Sequence, residues 1–324
     1  MGIGGNFLAL LGGIVLLIWA GDWMVRGAAA LARHWGISAL IVGLTIVAFG
    51  TSAPELVVAI QAVFDGASEL ASGNVVGSNI ANVLLALGAP ALIMAIPTNT
   101  PGVTRNAIVC IIATVLFMLL AFINNPLAIW QGVILFAGIL IYLTWMFRLG
   151  RAGADDPILA EMTELDEGKD GLPQSVLVSG LFVLVGIAGL VVGGNLIVDN
   201  SVKIAQFFGV SNTIIGLTIV AIGTSLPEVA TVIVAAWRGH SEVAIGNVLG
   251  SNVFNIFAVM GASALAGPVV IAPELFIFDM WVMLAAMGAL FFFIVKRQAI
   301  GFKTGIVLLA GYALYLAAIV SRVV

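Results

Sequence analysis

Glu55 is the only charged side chain between Ile37 and Phe64, a run long enough to cross a bilayer. A charge near the bilayer centre costs about 2.5–3.5 kcal/mol on insertion scales, so it must have a partner or a task. Thr51 and Ser52 precede it by four and three positions, which places all three oxygen-bearing side chains on one helix face. Pro54 lacks an N–H and its ring opposes the carbonyl of Gly50, and Gly50 itself tolerates dihedrals that other residues avoid. The spacing predicts that the helix unwinds around Ala48–Thr51 and frees backbone carbonyls at membrane depth. Such carbonyls persist only where they face protein or a polar cavity. The next segment adds Ser78 and Asn82, again four apart on one face.

The second half of the chain repeats this set. Shifted by 173 positions, Gly43–Glu55, "GLTIVAFGTSAPE", falls on Gly216–Glu228, "GLTIVAIGTSLPE". In the same register "GNVVGSNIAN" falls on "GNVLGSNVFN", and 25 of the 46 positions from Gly43 to Gly88 are identical without a gap. The duplicated set is therefore Thr224, Ser225 and Glu228, with Ser251 and Asn255. Together the copies offer two carboxylates, several hydroxyls, two amides and freed carbonyls, with no nitrogen or sulfur ligand. An all-oxygen, doubly negative site suits hard cations such as Ca2+ and Na+, whereas zinc or copper would favour His or Cys. Two carboxylates balance one Ca2+ or two Na+. Either cation neutralises the site, and an empty site leaves two buried charges unpaired. That equivalence is a physical basis for exchange.

The elements that must position these groups follow from composition. Of 324 residues, 62% are hydrophobic and 9% charged, against about 25% charged in soluble domains. Continuous apolar runs of about 20 residues read as helices rather than barrel strands. The expected fold class is an all-α membrane protein, and the lipid bilayer is the expected surrounding. Ten apolar segments stand at roughly 7–30, 38–64, 70–95, 103–123, 127–147, 175–200, 212–237, 242–267, 274–295 and 302–321. The N-terminal run has no basic region or cleavage pattern before it and reads as a retained first helix. No basic patch points to nucleic acid, and no protein partner can be inferred. Cys110 is the only cysteine, so no cysteine metal cluster forms, and it reads as a packing residue.

Each half holds five segments, an odd number, so the second copy should enter the membrane from the opposite face. The expected organisation is ten transmembrane helices as two inverted five-helix repeats. Residues 1–147 form the first repeat, with its motif at 43–88, and residues 175–324 the second, with its motif at 216–261. Inverted repeats characterise many secondary transporters, whose sites lie at the midplane between the copies. Between the halves, Arg148–Gln174 carries seven acidic residues and reads as a solvated linker. With ten spans, ten Lys and Arg residues fall on one side and only Lys203 and Arg322 on the other. The basic side is then cytoplasmic, with the linker inside and both termini outside the plasma (inner) membrane.

The paired motifs "GTSAPE" and "GTSLPE", each followed by "GNVVGSNIAN" or "GNVLGSNVFN", resemble the repeats of the calcium/cation antiporter superfamily, most closely its prokaryotic sodium/calcium exchangers. The resemblance covers nearly the whole chain. It implies an antiporter, not an enzyme, that exchanges Na+ for Ca2+ by alternating access, with sliding of the first and sixth helices. It implies metal ligands at Glu55, Glu228, Thr51, Ser52, Thr224, Ser225, Ser78, Ser251, Asn82 and Asn255, with the Ala48 and Ala221 carbonyls. It implies no cofactor beyond the transported ions. The position of Asn255 is Asp in some relatives, including potassium-dependent ones, so Asn here argues against potassium co-transport.

Two alternatives stay open. Buried carboxylates can carry protons as readily as sodium, which would make a Ca2+ or other divalent cation/H+ antiporter. A cation channel lined by the same residues is a further class, although mirrored broken helices suit a carrier better. Asn74 and Asn247 lie near helix starts and read as capping or packing residues, and Asn79 and Asn252 lie off the Ser/Asn face. His34 and His240 fall outside the predicted midplane.

Overall fold

A computed structural model describes residues 3–154, 172–209 and 221–323. Among these the chain is helical, with two isolated β-bridges. The elements are α1 (Ile3–Trp35), α2 (Ala39–Thr51), α3 (Ala53–Phe64), α4 (Ser68–Leu84), α5 (Val103–Ile123) and α6 (Ile129–Ala154) in the first half. The second half holds α7 (Val176–Phe207), α8 (Leu226–Trp237), α9 (Ser241–Ala266), α10 (Leu275–Val295) and α11 (Phe302–Val323). Most of the acidic linker, residues 155–171, lies outside the described residues.

Eight of the described helices are long and apolar enough to cross a membrane, and nine spans result when α2 and α3 are taken as one broken span. The remaining one of the ten expected segments, 212–237, is represented by α8, which is apolar but shorter. The beginning of that segment, up to residue 220, lies outside the described residues.

Layering follows from which helices bury their faces. The whole apolar window of α9 is buried, whereas α1, α7 and α11 leave most of theirs to the surroundings. The central position of α9 depends on small residues. A Cβ added at Gly250 would lie 2.6 Å from the carbonyl oxygen of Leu44 on α2. The long helices α1 and α7 pack against each other in the same manner, and a Cβ at Gly186 would meet the Met24 Cβ at 2.6 Å. Close backbone approach of this kind is how helices associate where lipid provides no hydrophobic drive.

The helix break expected around Ala48–Thr51 is a single residue, Ser52, with φ −87° and ψ 3°. The helix axis turns by 43° there. Ala48–Thr51 stays helical, because the Ser52 N–H still closes a bond onto the Ala48 carbonyl at 3.0 Å. Pro54 is two residues into α3, where a missing N–H is tolerated, but it leaves the Gly50 carbonyl without its regular donor. Ser225 has the same geometry, φ −88° and ψ 3°, with Pro227 two residues into α8. Gly43–Val47 in α2 and Asn255–Met260 in α9 are wound as π-helix, a feature frequent at functional sites.

Two connections tie the halves together. Ile96 and Ile300 exchange both main-chain hydrogen bonds, at 3.0 and 2.9 Å, and Leu127 and Val269 do so at 2.8 and 3.1 Å. The first bridge joins the loops before α5 and α11, and the second those before α6 and α10. Asp22 on α1 forms ion pairs with Arg26 one turn on and with Arg238 at the end of α8.

Candidate cation site

The breaks at Ser52 and Ser225 bring the polar groups of the two halves against each other. Glu55 and Glu228 lie in the first turns of α3 and α8, and both are completely buried. Ser52 Oγ donates to Glu228 Oε1 at 3.2 Å.

The threonines cross over as well. Thr51 Oγ1 lies 3.1 Å from Asn247 Oδ1 and 3.2 Å from Ser251 Oγ, both on α9. In the other direction Thr224 Oγ1 lies 3.4 Å from Asn74 Oδ1 on α4. Thr51 and Thr224 are repeat mates, and so are Asn247 and Asn74, so each contact is the counterpart of the other. Asn82 Nδ2 donates to Asn252 Oδ1 at 3.0 Å, a further link between α4 and α9.

Of the residues expected at the site, Thr51, Ser52, Glu55, Ser225, Glu228, Ser251, Asn82 and Ser78 are buried, as is Asn255, and Thr224 is partly so. Hydrogen bonds join Thr51 to Ser251 and Ser52 to Glu228 directly. Ala48 is buried, and its carbonyl accepts from the Ser52 N–H and, at 3.3 Å, from the Thr51 hydroxyl. Ala221 begins a helical turn, Ala221–Gly223, before the Ser225 break.

The donor set fits a hard cation. Both oxygens of Glu55, Glu228 Oε2, Ser78 Oγ, Ser225 Oγ, Asn82 Oδ1 and Asn255 Oδ1 are buried without a hydrogen-bond partner among the described residues. Buried polar atoms in folded proteins are nearly always satisfied, and an unpaired buried carboxylate is among the costliest exceptions. Oxygen atoms from carboxylate, hydroxyl and amide groups are what Ca2+ takes as ligands.

Three residues of the cluster lie outside the set that spacing predicts. Asn74 and Asn247 stand well inside α4 and α9 rather than at their caps, and their side-chain oxygens receive the crossing hydroxyls. Asn252 bonds Asn82 and also donates to Met287 Sδ at 3.0 Å. The signal that points to the first two is their identical placement four residues before Ser78 and Ser251.

The chain resembles known proteins over nearly its whole length. The family model described as "Sodium/calcium exchanger protein" matches residues 5–148 and 178–321. The sodium/calcium exchanger MaX1 of Methanosarcina acetivorans is 34% identical over 349 residues, covering 96% of this chain and 97% of that protein. The inner membrane protein YrbG of Escherichia coli is 32% identical over 314 residues, covering 95% of this chain and 94% of that protein. A solved structure of the sodium-calcium exchanger NCX_Mj, soaked with 10 mM Na+ and zero Ca2+, superimposes with a TM-score of 0.82 at 30% identity, covering 97% of this chain and 99% of that one. With a family model spanning both halves and relatives alike over nearly their full length, the chain belongs to the sodium/calcium exchanger protein family.

Proposed function

We propose that the protein is a secondary antiporter that exchanges Na+ for Ca2+ across the membrane by alternating access. Both ions use one site between the halves. The observation that carries this reading is the pair of fully buried carboxylates with unpartnered oxygens, surrounded by hydroxyl and amide oxygens from both halves. The names of MaX1 and NCX_Mj and the family description agree with it.

The proposed ligands are Glu55 and Glu228, the hydroxyls of Thr51, Ser52, Thr224, Ser225, Ser78 and Ser251, the amide oxygens of Asn82 and Asn255, and the carbonyls of Ala48 and Ala221. Carboxylate charge attracts either cation, and occupancy decides the conformational equilibrium, because a ligand shifts it only by its differential affinity for the two states. An occupied site is near neutral, so it crosses the barrier between the two faces. An empty one carries two uncompensated charges and does not, which enforces exchange.

The proposed architecture is ten spans in two inverted five-helix repeats, residues 1–147 and 175–324, joined by the acidic segment 148–174. The reciprocal Thr51–Asn247 and Thr224–Asn74 contacts support a twofold relation between the halves, as do the two bridges. The distribution of basic residues supports a cytoplasmic linker and outward termini in the plasma membrane.

The test is radiolabelled Ca2+ flux in purified proteoliposomes with Na+, K+ and H+ gradients imposed one at a time. Flux driven by Na+ alone is expected. Flux driven by a pH gradient in the absence of sodium would replace this reading with a proton-coupled antiporter, and flux needing no counter-ion would replace it with a channel.

A further inference from the structure

A hydroxyl that ligates a cation has to present lone pairs to it, so its single proton must be given to something else. Helical threonines usually solve this by donating to the carbonyl four residues back. Four threonines here do so: Thr45 to Ile41, Thr114 to Cys110, Thr144 to Leu140 and Thr231 to Pro227, all at 2.7–2.8 Å.

Thr51 and Thr224 behave differently. Thr51 reaches the carbonyl three residues back, that of Ala48, only at 3.3 Å, and lies closer, at 3.1 Å, to the side-chain oxygen of Asn247 in the other half. Asn247 Oδ1 is also within 3.4 Å of the Ser251 hydroxyl. An amide oxygen has two lone pairs and accepts both protons. Thr224 reaches Asn74 in the mirrored contact. Asn247 is completely buried, so its amide has no bulk water to turn toward.

We propose that Asn247 and Asn74 are positioning residues for the cation site. Each takes the hydroxyl proton of the opposite half's threonine, and Asn247 also that of Ser251. The oxygens of Thr51, Ser251 and Thr224 are thereby left with their lone pairs for the ion. The Ala48 carbonyl is relieved of the Thr51 proton in the same arrangement. This rests on the reading of the cluster as a cation site and adds to it two residues that need not touch the ion.

The arrangement makes a crossed prediction, in which each asparagine acts through the threonine of the opposite half, and the acceptor-retaining Asn247→Asp separates this role from packing. The test is equilibrium binding of radiolabelled Ca2+ to purified protein, for Asn247→Leu, Asn74→Leu, Thr51→Val, Thr224→Val and the four doubles that combine one asparagine with one threonine. Each single substitution is expected to weaken binding about ten-fold, the scale of one lost hydrogen bond. The matched double Asn74→Leu with Thr224→Val should be no weaker than the threonine single, and Asn247→Leu with Thr51→Val should lose less than the product of its two singles, the remainder being the Ser251 hydroxyl that Asn247 also holds. The crossed doubles should multiply, because the pairs are independent. Matched doubles that multiply as the crossed ones do would overturn the inference and leave the asparagines as packing residues.

Should the leucine variants fail to fold, Asn247→Asp keeps the oxygen acceptor at the same place. It is expected to retain Ca2+ binding, and a folded Asn247→Asp that loses it overturns the inference. A wild-type protein that binds neither Ca2+ nor Na+ overturns the function and this inference together. Normal wild-type binding with uniformly multiplicative doubles overturns this inference alone.

Discussion

Ser52 donates to Glu228 across 3.2 Å, while the mirrored pair, Ser225 and Glu55, has no such bond among the described residues. The two halves therefore hold their carboxylates differently. Hydrogen bonds to charged groups contribute about 1.5–3 kcal/mol. In cation-free buffer, Ser52→Ala should lower the thermal unfolding midpoint clearly, and Ser225→Ala should barely change it. Saturating Ca2+ should narrow the difference, since the cation then compensates Glu228 directly. Equal midpoints for the two variants without cation would contradict this asymmetry.

Either carboxylate should be indispensable for transport but not for the fold. Glu55→Gln and Glu228→Gln keep shape and remove one charge from a site that must balance one divalent ion. Sodium-driven Ca2+ flux is expected to fall at least about 100-fold in each, equivalent to about 2.7 kcal/mol of lost cation binding. Both variants should elute as single, monodisperse species in detergent. Normal flux in either would remove that residue from the site.

Cation binding should also register as stability. A ligand that binds only the native state adds about 2.7 kcal/mol at one hundred times its dissociation constant. Ca2+ and Na+ should each raise the unfolding midpoint of the wild type, K+ should not, and Glu55→Gln should abolish the Ca2+ response. Differential scanning fluorimetry in detergent reads this without any transport measurement.

The bend at Ser52 predicts a separation between stability and turnover. Pro54→Ala restores an N–H opposite the Gly50 carbonyl and lets the helix run straight through the site. The variant should be at least as stable as the wild type yet exchange Ca2+ several-fold more slowly, because Thr51, Ser52 and Glu55 lose their relative orientation. Pro227→Ala should behave alike. The comparison is of flux rate and unfolding midpoint on the same preparations, and an unchanged rate would show that the bend does not position these residues.

Gly77 and Gly250 occupy equivalent positions in the two motifs but meet different surroundings. A Cβ at Gly250 would come within 2.6 Å of main-chain oxygen on α2, and one at Gly77 would meet nothing within 4 Å. Gly250→Ala should cost about 1–3 kcal/mol through overpacking, and Gly77→Ala should be near neutral. Unfolding midpoints and expression yields of the pair check this.

Much of this site is legible in the residues and their spacing. Glu55 and Glu228 stand out because a lone charge in an apolar run is costly, and the match at a spacing of 173 doubles the signal. Thr51, Ser52 and the prolines follow from helical spacing. The crossing contacts are not legible in this way. Periodicity specifies which side chains share a face of one helix, but not which helix of the other half lies against that face. Thus the sequence assigns Thr51 to the site without its partner Asn247, and Asn247 reads as a capping or packing residue. The Asp22–Arg238 pair escapes for the same reason, since 216 positions separate its members. The spacing predicts a break over four residues and the chain confines it to one, because Ser52 can still donate its N–H to Ala48 while taking the turn.

The two β-bridges carry a mechanical consequence. Each is a buckle of paired amides and carbonyls between opposite halves, and the first fastens the loop entering α5 while the second fastens the loop leaving it. Parting the halves there would break four main-chain hydrogen bonds, two at each end of α5. The long helices α1 and α7 carry neither buckle, so a shift of that pair would leave all four of these main-chain bonds intact.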